Sequence, residues 1–301
     1  MAIFSQLDFD IGEAGRLTVG ARAERREVDY SDTDGLVVHP DETMVGGEVS
    51  YLHRFNQGTT GFITLSRGFK GGGFNLGFVP AGRREFEEES MWNFEVGMKT
   101  RSADDRWFYS SAVFYSRRQD QQVGTSFQID PNDPASFVFF TDNAAEGESF
   151  GLEADIRWFG TEQLELYASL GLLYTEFDEF VTAQVDVSGR DQAHAPNYTF
   201  AAGGIWRHET GWFGRLDISG KDDFYFGVSH DQQSESYAIT NARLGYEADR
   251  WTAQLWLRNL FDERYAVRGF FFGNEPPLFT PTLYIRQGDP RQFGVTFNMR
   301  F

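Results

Sequence analysis

Strict alternation of apolar and polar residues, repeated along nearly the whole length, is the feature that most restricts what these 301 residues can become. In an extended strand successive side chains point to opposite faces, so a period of two sorts a segment into two stripes. Over 92–99 the row WNFEVGMK puts Trp92, Phe94, Val96 and Met98 on one face and Asn93, Glu95, Gly97 and Lys99 on the other. GLEADIRW at 151–158 divides Leu152, Ala154, Ile156 and Trp158 from Gly151, Glu153, Asp155 and Arg157. LTVGARAE at 17–24 and the leucine-rich 164–172 repeat the division, as does the end of the chain, where Phe293, Val295, Phe297, Met299 and Phe301 alternate with small or polar partners. No stretch of similar length carries the helical period of about 3.6 residues.

The alternation predicts thirteen strands, at 2–11, 17–30, 42–55, 59–70, 88–101, 107–123, 137–159, 164–178, 198–209, 212–226, 236–247, 251–271 and 291–301. The connections between them alternate in length. Short turns fall at 12–16, 56–58, 102–106, 160–163, 209–211 and 248–250, and long polar segments at about 31–41, 70–88, 119–140, 178–196, 227–236 and 273–290. A transmembrane barrel with tight turns at one rim and large loops at the other produces that rhythm.

Composition narrows the choice further. The chain holds 31 phenylalanines and is 17% aromatic, yet no run approaches the roughly 18 apolar residues of a membrane helix. An apolar lipid face diluted by a polar lumen accounts for both. Trp92, Trp107, Trp158, Trp212 and Trp251 are read as lying at or beside short-turn ends of strands, where an interfacial girdle would place them. A soluble all-β protein with the same residues in a dry core is the competing expectation. A formal charge of −18 argues against nucleic-acid partners, and the absence of cysteine removes disulfides, thiolate metal sites and thiol nucleophiles. MAIFSQLDFDIGEAG lacks the basic and apolar regions of a secretory signal, so an exported protein is expected to have lost its natural start. With thirteen strands, an odd number, at least one more is expected to close the barrel.

Several strings resemble TonB-dependent receptors of Gram-negative outer membranes. SRGFKGGGFN (66–75) is similar to a strand end of that family with its outer loop, QAHAPNYTF (192–200) to the start of another strand, WTAQLWLRNLFDERYA (251–266) to the penultimate strand, and RQFGVTFNMRF (291–301) to the closing strand. They occur in family order from about residue 40 onward. The resemblance implies an all-β antiparallel transmembrane barrel of about 22 strands, of which this chain is an incomplete portion without the plug domain, residues 1–301 forming the C-terminal part. It implies TonB-energised uptake of a ferric siderophore or similar large nutrient, and no enzymatic activity. The partners implied are outer-membrane lipid and lipopolysaccharide, the nutrient, the TonB complex through the missing plug, and the barrel-assembly machinery, for which the terminal aromatic Phe301 would be the signal. A passive porin and a soluble all-β binding protein stand as alternatives.

Other chemistry finds little support. Gly71 to Gly73 lacks the spacing of a phosphate loop and no helix follows. Asp32, Asp34 and Gly35 hint at a calcium loop, but Asp41 stands at the twelfth position and the flanks are strands. His39, His53, His194, His208 and His230 show no metal-binding spacing, no GxSxG elbow occurs, and Asn197-Tyr198-Thr199 is a chance glycosylation sequon. No catalytic residue, metal or cofactor is expected. Gripping a bulky anionic chelate needs aromatic faces and cations at the outer mouth. Arg67, Lys70, Phe74, Arg83, Arg84, Arg268, Phe270, Phe271 and Phe272 are the candidates on the long-loop side, with loop packing and lipopolysaccharide contact as their other possible role.

Overall fold

The computed structural model describes residues 1–79, 82–130, 133, 136–181 and 186–301; parts of the expected long segments 70–88, 119–140 and 178–196 lie outside these residues. In chain order the strands are β1 (Ala2–Ile11), β2 (Gly15–Glu27), β3 (Tyr30–Ser31), β4 (Val37–Val38), β5 (Asp41–Arg54), β6 (Thr59–Lys70), β7 (Gly73–Phe74), β8 (Glu85–Phe86), β9 (Glu89–Arg101), β10 (Trp107–Gln128), β11 (Phe137–Phe159), β12 (Leu164–Phe180), β13 (Tyr198–Arg207), β14 (Trp212–Lys221), β15 (Tyr237–Glu247), β16 (Trp251–Arg258), β17 (Ala266–Phe272), β18 (Thr282–Gln287) and β19 (Gln292–Met299). Thirteen of them form one antiparallel sheet in the order β1-β2-β5-β6-β9-β10-β11-β12-β13-β14-β15-β16-β19. Each strand pairs with its sequence neighbour within that sheet, so the architecture is an up-and-down meander with β1 and β19 at its edges.

The sheet is inside out relative to a soluble domain. On β9 the apolar row Trp92, Phe94, Val96 and Met98 is exposed, while Met91, Asn93, Glu95 and Gly97 on the other face are half-buried. Register carries the rule from strand to strand: Leu7, Val19, Val49, Leu65, Phe94, Tyr115, Phe150 and Tyr174 are successive cross-strand partners on the outer face. One residue along, Gln6, Gly20, Glu48, Ser66, Asn93, Ser116, Ser149 and Thr175 line the inner face. Leaving a wall of Leu, Val and Phe in water would forfeit about 1.5–3 kcal/mol per side chain, so the outer face requires lipid. The paired strands leave few backbone groups to meet that lipid.

Inner-face aromatics lie flat across glycines of the adjacent strand: Phe62 over Gly97, Phe114 over Gly151, Tyr167 over Gly203, Phe213 over Gly245 and Trp256 over Gly294 are each direct cross-strand neighbours with no room for a Cβ. Covering a glycine with a neighbouring ring restores packing that the glycine itself lacks. It also keeps the rings against the wall.

Three differences from expectation have local causes. The predicted strand 251–271 breaks after Arg258 because Asn259 adopts a left-handed backbone (φ 49°) and its buried amide donates to the carbonyls of Glu263 and Asp289 and accepts from the Glu263 N–H. The chain resumes as β17, which pairs with β18 as a separate outer hairpin. The predicted strand 212–226 stops at Lys221, where Phe224 and Phe226 turn into a buried position and the Phe224 N–H donates to Ser234 Oγ. Trp92 belongs to the opposite rim, because β9 begins at the long-loop side and Trp92 is near its start; Trp107, Trp158, Trp212 and Trp251 adjoin short turns. β10 and β11, at 22 and 23 residues, are about twice the length that crosses a bilayer and project beyond it.

Candidate functional site

The long connections gather at one end of the inner face and enclose a half-open cavity of about 620 Å³. Its lining includes Asn75, Phe139, Phe180, Val228, Arg268 and Phe270. Beneath it Val123, Ala145, Phe177, Phe180 and Val187 pack into a small buried cluster with Val228 against it, which gives the cavity a dry floor.

One wall is held by amide clamps that reach far along the sequence. Asn75 Nδ2 donates to the carbonyls of Thr141 (2.8 Å) and Arg83 (2.9 Å), and Asn75 Oδ1 accepts the Thr141 N–H at 2.8 Å. Asn143 does the same for Glu87: its Nδ2 donates to the Glu87 carbonyl and its Oδ1 accepts the Glu87 N–H. The segment around β7 and β8 is thereby tied to the projecting β10–β11 hairpin. Where that hairpin leaves the barrel wall its register shifts between Arg118 and Gln122, with Asp120 left-handed at φ 52°.

Next in sequence to the lining residues Val228 and Ser229, a set of cations packs on rings. Arg190 donates to Asp231 (2.7 Å) and to the carbonyls of Gly227 and His230, with its guanidinium 4.5 Å from the Tyr225 ring centre. Lys221 Nζ lies 4.3 Å over Phe224, and His194 packs on the same ring at 5.3 Å. Burial, reinforced by Arg268 and Lys221, holds the His194 imidazole below its ordinary pKa; burial and Arg190 do the same for His230. Burial, with Glu176 and Asp223 nearby, raises the Asp191 carboxyl.

The nine residues expected at the mouth separate in the structure. Arg268 and Phe270 line the cavity together, the guanidinium 5.1 Å over the ring. Phe271 packs near His230 (5.8 Å) and Phe272 on Tyr284 (5.4 Å), both on the β17–β18 hairpin. Phe74 packs on Tyr30 at 4.9 Å. Arg83 pairs with Asp142, and Arg84 donates to the carbonyls of Asn75 and Gly77, so both brace the clamp segment. Lys70 lies 3.9 Å from Glu89 at the end of β6. Arg67 shares the outer row of Ile63 and Leu65, bonded to the Val45 carbonyl and to Glu88, and stands away from the cavity. Phe301 is fully exposed beyond β19. The sequence did not single out Asn75, Phe139, Lys221 or Arg190; only the spacing of polar side chains within long loops could have marked them. Among the described residues no group of three or more His, Asp or Glu is placed to hold a metal ion.

Comparison with known proteins decides the family. A family model described as TonB dependent receptor-like, beta-barrel, matches residues 1–260. The chain belongs to the TonB-dependent receptor β-barrel family. It is similar to the pesticin receptor of Yersinia pestis, with 22% identity over 241 residues that span 78% of this chain and 34% of that protein. Its fold superposes on the ferric yersiniabactin uptake receptor FyuA from Yersinia pestis with a TM-score of 0.80 at 18% identity, covering all of this chain and 45% of that one. The siderophore receptor PiuA from Acinetobacter baumannii gives 0.75 at 16%, over 98% of this chain and 42% of that one. The chain thus spans about a third of the pesticin receptor and under half of the solved receptors. TonB-dependent receptors are outer-membrane barrels and not enzymes, which places this chain's apolar face in the outer membrane and sets aside the soluble alternative.

Proposed function

We propose that this chain is the C-terminal barrel portion of an outer-membrane receptor that takes up a ferric siderophore or similar large nutrient, energised by TonB through an N-terminal plug. The family match over residues 1–260 carries the reading, and the mouth cavity supports it: a space of about 620 Å³ suits a bulky chelate rather than a small ion. Within it Arg268 offers charge and Phe270 a ring face. Phe271, Phe272, Phe74 and Lys70 form a wider rim, while Arg83 and Arg84 shape it from behind. We read Arg67, on the outer row near the long-loop rim, as a lipopolysaccharide contact, and the exposed Phe301 as the signal for the barrel-assembly machinery. The test is uptake of ⁵⁵Fe carried by phenolate, catecholate and hydroxamate siderophores in cells bearing the intact gene. Uptake of at least one that stops when TonB is deleted is expected. TonB-independent leakage of small solutes with no chelate uptake would replace the receptor with a passive porin.

A further inference from the structure

Three of the long connections are joined through one arginine. Arg190 lies in the segment after β12, which folds back on that strand: the Gly189 N–H donates to the Phe177 carbonyl (2.8 Å) and the Phe177 N–H to the Arg190 carbonyl (3.0 Å). Its side chain, only 11% exposed, reaches across to the connection between β14 and β15. That connection is a narrow turn, in which Tyr225 bridges Gln233, the Phe226 N–H donates to the Gln232 carbonyl and the Ser234 N–H to the Phe224 carbonyl. The guanidinium holds the tip of the turn. It donates to the carbonyls of Gly227 (3.1 Å) and His230 (3.2 Å) and to the Asp231 carboxylate (2.7 Å), with Cζ 4.5 Å over the Tyr225 ring. Hydrogen bonds from a charged donor are about twice as strong as neutral ones, and a guanidinium fixes their directions as a set.

The same turn reaches the mouth cavity and the third connection. Val228 and Ser229, within the tip that Arg190 holds, line the cavity. Phe226, 4% exposed, lies so close over Gly269 of β17 that a Cβ there would meet its ring at 2.4 Å. Gly269 stands between Arg268 and Phe270, the cation and the ring of the cavity. His230, whose carbonyl Arg190 holds, packs near Phe271. The β17–β18 hairpin is a two-stranded sheet of its own. Such a hairpin is marginal in water unless something packs on it, so the turn braces it.

We propose that Arg190 is a positioning residue of the ligand site: it fixes the tip at 227–231 and, through Phe226 on Gly269, sets Arg268 and Phe270 at the cavity. Arg190 is not among the residues that line the cavity. That the cavity takes a chelate rests on the receptor reading above; the grip on the turn does not.

The test uses the intact receptor in two arms. In detergent micelles without ligand, hydrogen exchange in 224–234 and 267–271 is expected to quicken about tenfold or more in Arg190→Gln, while the Thr141 amide, held by Asn75, is unchanged. Arg190→Lys keeps the charge, loses the fork and should fall between. Because Arg190→Gln can fail to fold, Gly269→Ala, which displaces Phe226 from the far side, is read in parallel and should loosen 267–271. In the second arm, ⁵⁵Fe-loaded phenolate, catecholate and hydroxamate siderophores are bound at 4 °C to cells bearing the receptor, and the one bound tightest is the probe. Arg190→Gln should weaken its binding about tenfold or more with equal receptor in the membrane, but about threefold or less once Arg268 and Phe270 are both alanine. Binding of none of the three by the unaltered receptor refutes the receptor reading and leaves the exchange arm to judge the grip. Unchanged exchange in both segments, or the same loss of binding with and without Arg268 and Phe270, overturns the proposal.

Discussion

Placing an arginine at Leu170 and at Ser169 in separate variants tests the inside-out sheet with neighbouring residues. Leu170 is exposed on the outer row of β12, midway between Leu166, the cross-strand partner of Trp158, and Tyr174. Four residues either way at about 3.3 Å each, on a strand tilted by about 40°, set Leu170 roughly 10 Å from both interfaces. That is close to the midplane of an apolar band about 25 Å tall, where an arginine costs about 2–4 kcal/mol. Ser169 faces inward, opposite Asp155, and lines a cavity of about 680 Å³. An arginine there meets water and a carboxylate, and its cost should stay below about 1 kcal/mol. The equilibrium constant for unfolding from phosphatidylcholine vesicles, followed by tryptophan fluorescence in guanidinium, should therefore rise roughly 30- to 700-fold for Leu170→Arg and by less than about sixfold for Ser169→Arg. Equal losses, or a larger loss at Ser169, would mean that the apolar row does not face lipid.

Asn75→Ala strips the clamp from Thr141, leaving its half-buried N–H and C=O without that partner, and about 1–3 kcal/mol of local stability should go with it; hydrogen exchange at Thr141 should speed up roughly 5- to 150-fold while the barrel strands keep their protection. The depressed pKa values of His194 and His230 mean that the unfolded loops bind protons more readily than the folded ones, so loop stability is full above the ordinary value of 6.5 and declines as pH falls below it. Proteolysis of 186–197 should accelerate on acidification in that window, less so in His194→Gln; the raised carboxyl of Asp191 acts with the opposite sign at lower pH, so the wild-type-minus-variant difference is the quantity to follow. Gly245→Ala drives a Cβ into the Phe213 ring and should destabilise by about 1–3 kcal/mol through overpacking, read as a lower unfolding midpoint that Phe213→Leu partly restores. In the intact receptor, Arg268→Ala and Phe270→Ala should each weaken chelate binding at least fivefold or so with unchanged amounts of folded protein in the membrane; undiminished binding in both removes the mouth cavity as the ligand site.

The strands were legible because in an extended segment a residue's number decides its face. Strand 59–70 was expected at the bounds observed for β6, and 2–11 and 137–159 match β1 and β11. The strand expected at 251–271 failed for a reason that alternation cannot express: Asn259 ends it by adopting a left-handed backbone and by bonding to carbonyls four and thirty residues away. The mouth was far less legible, since its residues come from connections without a period. Asn75 and Thr141 are 66 residues apart, and nothing in either neighbourhood announces the other. Charge and aromaticity selected Arg83, Arg84 and Arg268 alike, although Arg83 is engaged by Asp142 of β11, Arg84 by carbonyls of its own loop, and only Arg268 faces the cavity. Arg67 is the instructive case. It was chosen by residue type, yet the parity that sorts Ile63 and Leu65 to the lipid side already assigns Arg67 to the same row. Near a barrel rim, therefore, side-chain chemistry says what a residue can bind, and strand parity says whether it meets the lumen or the lipid. The same parity, extended inward, is what brings Arg215, Arg243 and Trp256 side by side on the inner wall.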